Sequence, residues 1–152
     1  MQTFVPYPDI EKSLNCLDYR RLGKQRVEAF QIRNILTGNI KPNPRTGKIA
    51  WSNHPAVNMW RGYEDALTFY MNMSIRLWIK RGYKNNMLII PEKDSFDLPP
   101  WFGTLEIVHS SHRANLLRKD YKFYSQYGWS EDPSTPYYWP VEQSRNTFVL
   151  KG

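Results

Sequence analysis

Leu22, Ala29, Ile32 and Leu36 fall within an arc of roughly 80° when successive residues turn by about 100°. That pattern predicts a helix from about Tyr19 to Thr37, with Asp18 as its cap and Gly38 as its stop. A shorter helical stretch is expected from Asp9 to the break at Asp18. Ala56, Trp60, Tyr63, Leu67, Tyr70, Met71, Leu77 and Trp78 also recur at helical spacing. They predict one long helix with Pro55 in its first turn, Ser52 or Asn53 as its cap, and Arg81-Gly82 as its end. A third helix is expected from Ser110 or Ser111 to about Tyr124. The polar and proline-rich stretches between these helices read as loops. Residues 38–52 form a basic loop with Lys41, Arg45 and Lys48. Met87–Ile90 reads as a short strand or a buried turn, and Thr147–Leu150 leaves room for a final strand. The first eight residues, ending Pro6-Tyr7-Pro8, read as an extended arm. The expected fold is mainly α: a compact three-helix single domain over residues 1–152. It has an extended N-terminal arm and an aromatic, Pro-rich C-terminal tail that returns to the body.

Composition adds a partner class. The net charge of +7 and the pI near 9.5 favour polyanions, and aromatic residues at 15% exceed what a core needs. The surplus rings suit surfaces where bases stack. A single cysteine, Cys16, rules out an intramolecular disulfide and any four-cysteine or two-cysteine zinc site. With no leader pattern and no apolar run near the roughly 18 residues of a membrane span, a cytoplasmic protein is expected, without a membrane partner.

The helix from Tyr19 carries the first candidate chemistry. Arg20, Arg21, Lys24 and Glu28 share an arc of about 100° beside the apolar one. Gly23 lies among them, where a missing side chain would let a ligand approach the backbone. The same face would also serve as a solvated surface with a Lys24–Glu28 pair. The run Ser111-His112-Arg113-Ala114-Asn115-Leu116-Leu117-Arg118-Lys119-Asp120 places further cations over two turns. Arg113 and Arg118 suit phosphate forks, Lys119 a point contact, and His112 a phosphate or base contact. Serines at the expected start of this helix would add a natural anion site. His109 and His112 lack an obvious third ligand, so no metal is assigned, and His54 before Pro55 reads as the holder of a helix start. Phosphate-loop, nucleophile-elbow and zinc-helix motifs are missing, and Cys16 looks buried and inert. One unusual nucleophile remains, the α-amine of the chain. Such an amine ordinarily titrates at about 7.7–8.0, against about 10.4 for a lysine, so part of it is unprotonated near neutrality.

Several of these segments resemble the small phage-type pyrimidine-dimer DNA glycosylases of the endonuclease V type. They are the short N-terminal arm, Tyr19-Arg20-Arg21-Leu22, Arg26-Val27, Lys80-Arg81-Gly82-Tyr83 and Asp97-Leu98-Pro99. The resemblance runs over about residues 1–127. The stretch Leu22-Gly23-Lys24-Gln25-Arg26-Val27-Glu28-Ala29 and the Ser111–Asp120 run are similar to a bacterial and phage branch grouped with them. The resemblance implies an all-helical, cofactor-free DNA glycosylase/AP lyase. In that family the N-terminal amine attacks the sugar, a Schiff base forms, and β-elimination nicks the strand, with a glutamate assisting and a nucleotide flipped out of kinked DNA. The family glutamate aligns with Arg21, or with Gly23 if Arg26-Val27 sets the register, and neither is acidic. Glu28 is the nearest substitute. The second residue, Gln2, is bulky, so Met1 is expected to remain and to supply the amine.

The expected site is therefore Met1 and Glu28 for catalysis, with Arg20, Arg21, Lys24, Arg26, His112, Arg113, Arg118 and Lys119 on nucleic acid. The expected partner is DNA, as a duplex with a damaged or modified base, and no protein partner is required. Two other readings fit the same residues: a DNA- or RNA-binding protein that does not cut, and an enzyme handling a nucleotide. Salt-sensitive binding without a covalent adduct marks the first, and a compact phosphate pocket without a groove marks the second.

Overall fold

A computed structural model describes residues 1–140 and the backbone of residues 149–151. Helices dominate: α1 (Ile10–Asn15), α2 (Tyr19–Leu36), α3 (Pro55–Asn58), α4 (Glu64–Lys80), α5 (Glu106–Lys119) and α6 (Tyr121–Tyr124), the last continued by a 3-10 turn over Ser125–Tyr127. Two short strands, β1 (Tyr137–Trp139) and β2 (Val149–Lys151), pair antiparallel with Tyr138 opposite Leu150. Among the described residues no helix is long and apolar enough to cross a membrane.

The long α2 begins where the sequence places it. The Asp18 side chain accepts from the Arg21 N–H, which satisfies one of the helix's unpaired first-turn donors. Leu22, Ala29, Ile32 and Ile35 form its buried stripe against α4, which contributes Leu67, Tyr70, Met71 and Ile75. Gly23 is set by this packing rather than by a ligand. A Cβ there would lie 2.7 Å from Cζ3 and 2.8 Å from Cη2 of Trp78. That ring cannot easily retreat. The Arg26 guanidinium covers one side 4.5 Å from its centroid, Tyr83 stacks on it at 4.3 Å, and its indole N–H donates to the Lys84 carbonyl. Gly23→Ala is therefore expected to destabilise the fold by about 1–2 kcal/mol. Overpacking against Trp78 outweighs the roughly 1 kcal/mol that alanine gains in a helix interior. A urea midpoint at or above the wild-type value would contradict this.

The remaining elements differ from the hydrophobic pattern at specific points. The long helix expected from Pro55 is broken in two. His54, not Ser52 or Asn53, caps α3 through Nδ1, which accepts from the Ala56 N–H at 3.0 Å. The chain then turns through Gly62 at φ +87° before α4 begins. This turn leaves Trp60 wholly buried, its N–H on the Thr3 hydroxyl at 2.9 Å. The third helix starts at Glu106, so Ser110 and Ser111 lie inside it and form no anion site at its start. Ser111 instead accepts from the Tyr138 N–H, which ties the returning tail to α5. Asp120, extended at φ −153°, ends α5 and caps α6. Met87–Ile90 forms neither strand nor buried turn: Leu88 is 85% exposed, and Asn72 binds both backbone groups of Ile90. The expected final strand overlaps β2, while Thr147 and Phe148 lie outside the described residues. Cys16 is buried, and that burial pushes its thiol up to about 12, so it stays protonated and unreactive.

Candidate functional site

The N-terminal arm is extended, as its prolines suggest, but it runs through the interior. Thr3, Phe4, Val5 and Pro6 are all buried. A buried strand without a sheet must find other partners for its backbone groups. Side chains of three helices supply them. Gln25 of α2 accepts from the Phe4 N–H at 2.9 Å, and the Tyr70 hydroxyl of α4 lies 2.8 Å from the Phe4 carbonyl. Two histidines of α5 hold Val5 from both ends of its peptide. Nδ1 of His112 accepts from the Val5 N–H at 2.8 Å, and Nδ1 of His109 lies 2.8 Å from the Val5 carbonyl. His109 also accepts at Nε2 from the Gly103 N–H, so its proton sits on Nδ1 and is donated to Val5. Arg113 donates to the Pro6 carbonyl at 2.6 Å and pairs with Glu106 and Glu131. The arm is thereby fixed, and Met1 emerges from it into a cleft.

That cleft has a volume of about 890 Å³. Its walls include Met1 and Gln2 of the arm, Arg20, Arg21, Lys24 and Glu28 of α2, Lys119 at the end of α5, and Tyr137 of β1. Arg21 is held by Asp18 at 3.1 Å, and Asp18 in turn accepts from the Tyr124 hydroxyl. Burial opposes charge on Asp18, but the hydrogen bonds from Tyr124 and Arg21 prevail and keep its carboxyl below the usual range. Partial burial depresses the Lys119 ammonium, and the nearby Arg21, Arg118 and Lys24 cations depress it further. A group of like charges around one hollow favours an anion there. Tyr137 is pushed up to about 12, chiefly by burial, and stays a neutral hydroxyl against Gln2.

Among the described residues three carboxylates reach the cleft, and two are committed elsewhere. Asp18 caps α2 and binds Arg21, and Asp120 accepts from the Phe123 N–H. Glu28 is 7% exposed, and among the described residues it makes one loose ion pair, with Lys24 Nζ at 3.9 Å. It is the acid available to a ligand.

The structure thus gathers Met1, Glu28, Arg20, Arg21, Lys24 and Lys119 in one place. It puts other expected contacts elsewhere. Arg26 projects to another side of α2, over Trp78, and donates to Asn85 at 2.7 Å. His112 is fully buried, with no surface to offer a phosphate, and burial lowers its pKa to about 3. The Arg113 side chain is 12% exposed and engaged by two glutamates. Arg118 is exposed, but it donates to Asn115 and to the Pro133 and Thr135 carbonyls, holding the tail. The basic run of α5 therefore builds the arm's seat more than an outer face; only Lys119 reaches the cleft. Gln25, Tyr70 and His109, which hold the arm, carry no sequence signal of that role. Buried polar groups at core positions of α2, α4 and α5 are the only hint of them.

Neither the curated proteins nor the solved structures compared with the chain give a match. A family model does: that of the pyrimidine dimer DNA glycosylases matches residues 1–91, which contain the arm, α2 and all of α4. With more than half of its length matched, the chain belongs to the pyrimidine dimer DNA glycosylase family.

Proposed function

We propose that the chain is a DNA glycosylase/AP lyase for damaged or modified pyrimidines in duplex DNA, with the α-amine of Met1 as nucleophile. The observation that carries this reading is the shared cleft of Met1, Glu28 and the Arg20, Arg21, Lys24 and Lys119 cations. The amine lone pair attacks C1′ of the damaged nucleotide, and the C1′–N bond breaks. The base leaves with the bond's electron pair and takes up a proton. The amine loses a proton, the sugar ring opens, and an iminium joins the enzyme to C1′. Removal of a C2′ proton then expels the 3′-phosphate, which nicks the strand, and water releases the enzyme. A carboxylate at Glu28 stabilises the positive charge that develops at C1′ and moves protons. Arg20, Arg21, Lys24 and Lys119 hold the phosphates on either side. Nothing in this sequence of steps calls for a metal or cofactor.

Borohydride reduction of the iminium should trap a covalent complex with duplex DNA carrying a pyrimidine dimer or an abasic site. An extension that blocks the amine should abolish trapping while leaving salt-dependent DNA binding. Trapping that survives the block would refute the role of Met1. Binding with neither trapping nor nicking, on any damaged substrate, would favour a protein that recognises DNA without cutting it.

A further inference from the structure

The loop between α2 and α3 carries features that the cleft does not use. Ile40 and Ile49 pack against the core and pin its ends. Between them Asn43 closes a tight tip: its carbonyl accepts from the Gly47 N–H and its N–H donates to the Lys48 carbonyl, each at 2.8 Å. Lys41, Arg45 and Lys48 are exposed there, and among the described residues none of them forms an ion pair. Just beyond the tip stands Trp51. It is 62% exposed, while every other tryptophan is buried or half-buried. Its φ of +67° is the only positive value at a non-glycine among the described residues. A bulky side chain in that region is strained, and strain retained at an exposed position points to a use.

Trp51 adjoins the amine's side of the molecule. Its ring meets His54 edge-on at 5.7 Å, His54 meets Trp139 at 5.9 Å, and Trp139 meets Tyr137, a wall of the cleft, at 5.2 Å. A flat, solvent-facing ring in a basic loop, with Lys48 lining the same hollow and a relay of three ring contacts leading to the cleft, fits one ligand chemistry: a nucleic-acid strand with an unstacked position.

We propose that Trp51 is a wedge that stacks into the gap a displaced nucleotide leaves in a duplex, with Lys41, Arg45 and Lys48 on the flanking phosphates. This rests on the DNA reading above and assigns it a second contact surface, outside the cleft.

The test is equilibrium binding of the full chain to two duplexes of equal length, one undamaged and one with a tetrahydrofuran abasic analogue, which offers a gap but cannot form the iminium. Trp51→Gly and Trp51→Asn both suit a φ of +67° and remove the large ring. They should weaken binding to the gapped duplex by about 10-fold and change the undamaged duplex by less than about twofold. Trp51→Tyr should recover most of the loss. Lys41→Ala, Arg45→Ala and Lys48→Ala together should weaken both duplexes alike and flatten the salt dependence by about three phosphate contacts. Unchanged discrimination in both Trp51 variants, or equal loss on both duplexes, would overturn the wedge and leave the cleft reading standing. Absence of salt-dependent binding by the wild-type chain would overturn both.

Discussion

Glu28→Gln should slow strand nicking by 10²- to 10⁴-fold, the range for loss of a positioned acid–base group, while DNA binding holds or tightens. The two effects part because the change keeps the side chain's shape and removes a negative charge from a basic cleft. Neither Asp18 nor Asp120 is available to take over, since each is bound to a helix start. Lys24 would lose its partner at 3.9 Å, but so loose a pair at an exposed lysine contributes little to stability. The measurement is single-turnover nicking of a dimer-containing duplex, with binding followed separately by anisotropy. Wild-type nicking by the variant would remove Glu28 from the mechanism. Loss of binding in step with loss of rate would make it a structural residue instead.

Acid should destabilise the fold through the buried histidine that seats the arm. His112 is neutral in the folded chain, its pKa near 3, and recovers an ordinary value of about 6.5 when unfolded. Above pH 6.5 neither state binds the proton, and this contribution to stability is intact. Between pH 6.5 and about 3 only the unfolded chain binds it, so stability falls as pH falls. The slope is about 1.4 kcal/mol per pH unit, and by pH 4 the loss reaches about 3 kcal/mol. Set against a total of roughly 5–15 kcal/mol for a typical domain, one residue accounts for a large share. His109 adds in the same direction: burial lowers its pKa too, and protonation would cost it the Gly103 N–H. His112→Asn offers Oδ1 where Nδ1 stood. It should keep the Val5 bond and flatten the pH dependence of the urea midpoint. His112→Phe should leave the Val5 N–H unpaired in the core, at a cost of about 1–3 kcal/mol at neutral pH. Equal pH slopes in wild type and His112→Asn would show that another group governs acid sensitivity.

The residues of α2 were the most legible part of the sequence. Asp18, Leu22, Ala29 and Ile32 obey a capping rule and a 3.6-residue period, both local properties, and the structure keeps them. The cationic face and Glu28 followed from the same geometry, and they line the cleft with Met1. Tertiary demands erased local signals elsewhere. Trp60 and Tyr63 keep helical spacing across a break, because Trp60 is buried either way and only its bond to Thr3 requires the turn. His112 and Arg113 look like phosphate ligands in any list of side chains. Their partners, Val5 and Pro6, lie 107 positions earlier, and no window along the chain brings them together. Gly23 was legible as a close approach, but not as one made by the chain's own Trp78.

The seat of Val5 has a consequence for the order of synthesis. The arm leaves the ribosome well before the α5 side chains that hold it: His109 and His112 follow Val5 by 104 and 107 residues, and Arg113 follows Pro6 by 107. Until α5 has been translated, Thr3–Pro6 have no complete set of hydrogen-bond partners and Met1 has no fixed address. A nascent chain stalled before Glu106 would carry the amine and α2 and still lack the geometry to bring them together.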